Sequence, residues 1–369
     1  MLSTFSFPTT TCFGVGARSG LRDWLARLSS TRPLVVTDAG LLKTKAFALL
    51  EEALGGAEIF GKVQPNPIEE DVEGAFHAYR ENGCDAVIAF GGGSALDVGK
   101  AVRLRIKRPE ATLGQFNFDA DWSGLAPLIA VPTTAGTGSE VGRSSVIIME
   151  HRKRVIFHPA LLASLVVLDP EFTRELPPKL TAATGADALT HCIESFTSPV
   201  FHPLCDGIAL EGIHLIAKAL ARAVKNGGDL DARGLMQIAA AMGGIAFQKD
   251  LGATHSLAHP LSSLCGLHHG LANALCLPFV MDFNAERKPG VYRRIGIALG
   301  LSEPTDANTI AAVRALLDEI GLEPGLREHG VDESKLDALT DQAFEDSCHA
   351  TNPVPVTRED LRSLYERAL

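Results

Sequence analysis

The segment TGADALTH (184–191) sets a carboxylate, Asp187, and an imidazole, His191, four residues apart. On a helix that spacing puts both groups on one face. Further along, HSLAHPLSSLCGLHHG supplies His255, His259, His268 and His269 in one short stretch. A carboxylate and several imidazoles projected from facing helices form a cage suited to Fe²⁺ or Zn²⁺. No cysteine lies at ligand spacing beside Asp187, so thiolate ligation is not expected. Taken singly, Asp187 and His191 also read as a capping or core pair, and the His255/His259 spacing as a common accident; taken together, they point to a metal site.

A second kind of chemistry is suggested earlier in the chain. Residues 86–100, AVIAFGGGSALDVGK, read as a buried strand running through Gly91, Gly92, Gly93 and Ser94 into a helix. Glycine lets a backbone approach a diphosphate closely, and the helix start adds its positive dipole end. The same pattern would also serve as a plain tight turn. A polar loop, PTTAGTGSE at 132–140, leaves the next apolar run, and both loops leave strand carboxyl ends, where open α/β sheets bind ligands. Asp38, at the end of LVVT (34–37), is placed either to accept hydrogen bonds from an adenosine ribose, repelling a 2′-phosphate, or to cap a turn. The ribose reading favours NAD over NADP.

The elements that must position these groups divide in two. Short apolar runs at 34–37, 57–63, 86–90, 128–131, 145–149, 155–157 and 165–168 alternate with helix-like stretches, and a charged HRKR turn separates two of them. That alternation predicts a parallel sheet covered by helices, a Rossmann-like α/β dinucleotide-binding domain. Beyond Pro177-Pro178 the strand-like runs vanish, and periodic Ala/Leu-rich stretches at 181–197, 206–224, 231–248, 251–265, 270–284, 308–320 and 357–368 predict an all-α, metal-binding domain. Paired prolines cannot continue a helix, so the expected domains are 1–178 and 179–369.

Composition narrows the partners. The formal charge of −10 argues against nucleic acid, which asks for a basic face. No apolar run approaches the roughly 20 residues that span a bilayer. The start, MLSTFSFPTTTCFGVG, lacks the basic and apolar regions of a secretory leader, and seven cysteines without C-x-x-C pairing suit reduced thiols. A cytoplasmic globular enzyme is the expectation.

The motifs GGGSALDVGK (91–100), VPTTAGTGSEV (131–141), TGADALTHCIES (184–195) and HSLAHPL with HHG (255–270), in this order, resemble the iron-containing (group III) alcohol dehydrogenase family over nearly the whole chain. The resemblance implies an NAD-linked dehydrogenase or aldehyde reductase acting on a small alcohol or aldehyde, with frequent dimerisation. It implies Asp187, His191, His255 and His269 as metal ligands and His259 as a proton relay. Gly92, Gly93, Ser94 and Asp97 become contacts on the pyrophosphate and nicotinamide side, and Thr133, Thr134 and Thr137 adenine and phosphate contacts. Lys153 becomes a cofactor-contacting lysine and Asp38 the ribose-binding acid. Two enzymes on related architecture remain alternatives, a maleylacetate-reductase-like one, in which the complete ligand set is not expected, and a dehydroquinate-synthase-like one. Lys249, six residues before His255, and Arg143 either form a cationic rim favouring a carboxylate-bearing substrate or are ordinary surface charges.

Overall fold

The computed structural model describes residues 7, 9–150, 152–322 and 325–369. The first six residues and Pro8, part of the stretch read above for a leader, lie outside the described residues, as does His151 of the HRKR turn. The chain divides into two compact units, one of Phe7–Thr134 with Gly138–Leu176, the other of Pro177–Leu369 with Ala135–Thr137.

In the first unit the helices are α1 (Leu21–Arg27), α2 (Lys45–Leu54), α3 (Glu69–Glu81) and α4 (Gly93–Lys107). Strands β1 (Thr11–Phe13), β2 (Pro33–Val36), β3 (Glu58–Phe60), β4 (Ala86–Gly91), β5 (Leu128–Pro132) and β8 (Leu165–Leu168) form one sheet in the order β1-β8-β5-β4-β2-β3, every pairing parallel. Strands β2, β4, β5 and β8 are buried along their length, so they read as continuous apolar runs, as a sheet covered on both faces requires. Val35, Ile88, Phe90, Ile129, Val131 and Val167 pack on α1 and α2 through Leu21, Leu25, Phe47 and Leu50. Strand order reverses between β2 and β4: β3 lies beyond β2, while β5 and β8 lie beyond β4. Loops leaving the two strands at such a reversal diverge and open a crevice. The separate ribbon of β6 (Ser144–Met149) and β7 (Arg152–Phe157) is antiparallel. Arg152, Lys153 and Arg154, expected in a turn, are strand residues facing Met149, Ile148 and Ile147.

The second unit is helical: α5 (Pro178–Thr197), α6 (Pro203–Lys225), α7 (Leu230–Ala246), α8 (Ala253–Cys265), α9 (His269–Arg287), α10 (Arg293–Ala298), α11 (Asp306–Glu319), α12 (Leu336–Glu345) and α13 (Arg358–Ala368). From Thr181 to Ser195 every residue of α5 is buried, because apolar side chains of α6 and α7 close over Ala182, Ala186, Leu189 and Ile193. A second core joins α8, α9, α12 and α13 through Leu257, Leu261, Leu275, Leu339, Leu361 and Tyr365. Among the described residues no helix is long and apolar enough to cross a membrane.

Candidate active site

The helical unit assembles the expected cage. Asp187 and His191 project from α5, His255 from α8, and His269 opens α9. Candidate ligand atoms of Asp187, His191 and His255 all lie within 4.8 Å of one another. From Asp187 Oδ1 the Nε2 atoms of His191, His255 and His269 stand at 3.7, 3.8 and 3.5 Å. Four donors each about 2.1 Å from one tetrahedral ion are about 3.4 Å apart, so these separations fit Zn²⁺ or Fe²⁺. The amide nitrogen of Asn273, four residues after His269, lies 2.8 Å from Asp187 Oδ1 and 3.2 Å from both His255 Nε2 and His269 Nε2. The acceptor lone pairs of three candidate ligands therefore converge on a single point.

Burial sets the protonation of these donors. Burial pushes the His191 imidazole down to about 4 against the pull of Asp187, and pushes His269 well below its ordinary value. A neutral imidazole keeps the lone pair a cation needs. Burial works against the Asp187 carboxylate, yet the three imidazoles and the Asn273 amide hold it down at about 2. His255 goes the other way: burial opposes its charge, but Glu194, joined by Asp187 and Asp346, raises it on balance. Glu194 Oε2 lies 2.6 Å from His255 Nδ1, and the carboxylate also accepts from the backbone N–H of Gly252 (3.0 Å) and Thr254 (2.6 Å). A carboxylate behind a metal-binding imidazole fixes its tautomer and raises its basicity. Glu194 was not anticipated, although it stands seven residues after Asp187 and three after His191, on the same helical face. Asn273 was legible by the same rule, four residues after His269.

His259 joins the same cluster from the next turn of α8. Its ring stacks on His269, with centroids 5.2 Å apart at 12°, and meets His255 at 5.8 Å. Its Nδ1 lies 2.7 Å from Asp346 Oδ2, and its side chain is 41% exposed, so the ring reaches both the cage and water.

In the α/β unit, Gly91 ends β4 with φ 153°, and a Cβ there would meet the Ala95 Cβ at 2.7 Å, so this corner requires glycine. Gly92 caps α4 with no side-chain hydrogen bond, and no acidic residue of the first turn competes for the helix start opened by Gly93 and Ser94. Thr133 donates its N–H to the Gly91 carbonyl at 3.0 Å, and Thr134 packs against Gly92. Thr137 is grouped with the helical unit. Asp38 follows β2, and its Oδ1 accepts from Gly40 N (2.8 Å) and Leu41 N (3.0 Å), so the turn-capping reading holds for that oxygen. The Ser94 hydroxyl donates to Pro65 O at 2.6 Å. Asp97 is turned inward: it accepts from Ser139 Oγ (2.7 Å) and Val146 N (3.1 Å) and lies 3.6 Å from the buried Lys100 ammonium. Its carboxylate ties the second loop to α4. Lys153 sits exposed on β7.

The cationic rim is not built as expected. Lys249 is 2% exposed, ion-paired with Asp206 and bonded to the Phe196 carbonyl at 3.3 Å. The short helical turn Phe247–Lys249 folds the ammonium inward, and a buried ammonium is stable only when paired. Arg143 lies over the Phe157 ring at 5.5 Å.

The α/β unit carries polar loops at its strand ends and the helical unit a carboxylate–imidazole cage; the relatives that match this chain are oxidoreductases acting on CH–OH groups. Residues 8–170 match the family described as iron-containing alcohol dehydrogenase, and residues 181–369 match the C-terminal part of the Fe-containing alcohol dehydrogenase family. The chain belongs to the iron-containing alcohol dehydrogenase family. It is 40% identical to 4-hydroxybutyrate dehydrogenase of Cupriavidus necator, covering 96% of each chain. The crystal structure of a 1,3-propanediol oxidoreductase superposes over 100% of both chains with a TM-score of 0.94 at 32% identity. Sulfoacetaldehyde reductase from Bifidobacterium kashiwanohense, solved in complex with NAD⁺, gives 0.92 at 29% identity, covering 100% of this chain and 99% of that one.

Proposed function

We propose that this chain is a metal-dependent, NAD-linked alcohol dehydrogenase that also runs as an aldehyde reductase, interconverting a small alcohol and its aldehyde. One observation carries the reading: Asp187, His191, His255 and His269 converge at ligand–ligand separations suited to Fe²⁺ or Zn²⁺, with Glu194 behind His255. When bound, the ion supplies Lewis-acid polarisation of the substrate C–O bond, and the dinucleotide supplies hydride transfer. Asp187 contributes the negative charge of the site, His191 and His269 neutral lone pairs, and His259 a path for the alcohol proton. Gly92, Gly93 and Ser94 at the start of α4 receive the pyrophosphate; Thr133, Thr134, Thr137 and Lys153 hold the rest of the cofactor, and Asp38 the ribose. The inward-turned Asp97 supports this site by holding the second loop in place. The sulfoacetaldehyde reductase complex supports NAD as the cofactor. The complete ligand set speaks against the maleylacetate-reductase alternative. A cytoplasmic homodimer completes the proposal.

A second reading concerns the substrate. The 40% identical 4-hydroxybutyrate dehydrogenase favours an ω-hydroxy acid, although Lys249 is not available to bind its carboxylate. Both readings are tested with Fe²⁺- or Zn²⁺-reconstituted protein, following NADH with 1-butanol, 1,3-propanediol and 4-hydroxybutyrate. Turnover is expected, and His255→Ala should lose metal and activity together. Full activity in exhaustively chelated protein would sink the metal assignment. Equal kcat/KM for 1-butanol and 4-hydroxybutyrate would end the hydroxy-acid reading.

A further inference from the structure

We propose that Asp346 is a positioning residue that fixes the tautomer and orientation of His259, so that the proton path depends on a carboxylate from the C-terminal part of the chain. The proposal rests on the proton-relay role given to His259 above. An ionised carboxylate can only accept, so the 2.7 Å contact between Asp346 Oδ2 and His259 Nδ1 places a proton on Nδ1 and makes Nε2 the ring nitrogen that can take up or release the relayed proton. The ring so fixed is the one stacked on His269 and 41% exposed to water.

Asp346 is itself tightly held. Its Oδ1 accepts from Ser256 Oγ at 3.0 Å and from Cys348 N at 2.9 Å, and its own N–H donates to Gln342 O at 3.1 Å. Further bonds tie 346–352 to the segment that carries His255 and His259. His349 N donates to Ser256 Oγ (2.8 Å), Thr351 Oγ1 to Leu251 O (2.9 Å), and Ala253 N to Asn352 Oδ1 (3.3 Å). His259, Asp346 and Cys348 have the composition of a second cation site. However, both carboxylate oxygens already accept hydrogen bonds, which makes the group an orienting hub. The arrangement matches the carboxylate behind His255, but it serves a histidine outside the Asp187, His191, His255 and His269 set.

The test is a double-mutant cycle in metal-loaded protein. Asp346→Asn keeps the shape but removes the obligatory acceptor. It should lower kcat by 10- to 100-fold, the usual effect of losing such a partner, with KM and metal content unchanged. In a His259→Gln background the same substitution should cost less than about twofold, because the residue it acts through is gone. An equal loss in both backgrounds, or loss of metal, overturns the proposal. A readout independent of turnover is the ¹⁵N chemical shift of the His259 ring in the wild type. A protonated Nδ1 is expected, and an unprotonated Nδ1 overturns the assignment even if Asp346→Asn fails to fold. Absence of turnover with every alcohol and aldehyde would instead strike the proposed function and leave the NMR result to decide this one.

Discussion

Asp38 caps a turn with one oxygen, and the proposed ribose contact falls to the rest of the same carboxylate. Its Oδ1 closes the turn onto Gly40 and Leu41, and its negative charge stands at the end of β2, beside the strand-order reversal. Asparagine would keep the turn, since its carbonyl oxygen accepts the same two N–H groups, while the charge disappears. A like charge against a 2′-phosphate costs on the order of a few kcal/mol. Asp38→Asn should therefore raise the NADPH-to-NADH ratio of kcat/KM by at least about tenfold with little change in melting temperature. If the ratio stays where the wild type has it, the carboxylate does not face the ribose. Lys249 is the contrasting case, because its type and spacing suggested a binding role and its burial gave it a structural one.

At the scale of elements, the cage depends on how closely α9 approaches α5. A Cβ on Gly270 would lie 2.0 Å from the Ala183 carbonyl oxygen and 3.1 Å from Asp187 Cβ. The first obstacle is backbone and cannot rotate away, so the helix itself must move. His269 is the adjacent residue and would move with it. Overpacking of this kind typically costs about 1–3 kcal/mol. Gly270→Ala should lower the melting temperature and weaken Zn²⁺ binding at least about tenfold, as read by titration against a chelator of known affinity. Unchanged affinity would mean that His269 does not need this contact to reach the ion. The elements themselves were legible to different degrees. The buried strands β2, β4, β5 and β8 announced themselves as apolar runs. Strand β1 is three residues long with Phe13 half exposed, too short and too wet to stand out. Helix α12 carries its apolar residues at Leu336, Leu339 and Ala343, a helical spacing present in the sequence but masked by the intervening charges.

For the molecule as a whole, the cage links three helices that are far apart in sequence. An ion that binds only the folded form adds stability by mass action, about 2.7 kcal/mol at 100 times its Kd. Chelation should therefore lower the thermal midpoint of the helical unit and speed hydrogen exchange in α5, α8 and α9, with reversal on adding Zn²⁺ or Fe²⁺. Unchanged exchange in those helices after chelation would show that the ion is held elsewhere.

What the sequence determined by itself was local. Helical periodicity set Asp187 and His191 on one face; the same rule also fits Glu194 and Asn273, but only the structure singled them out. Continuous apolar runs defined the central strands, and consecutive glycines marked the corner after β4. Tertiary structure decided what lies beyond a helical turn. Nothing near residue 346 signals His259, because the carboxylate and the imidazole are 87 positions apart and meet only when the C-terminal segment packs on α8. Nothing near residue 249 signals Asp206, which a different helix brings to the ammonium. Periodicity reports which side of an element is apolar, while a charged side chain takes its role from the partner that folding brings to it.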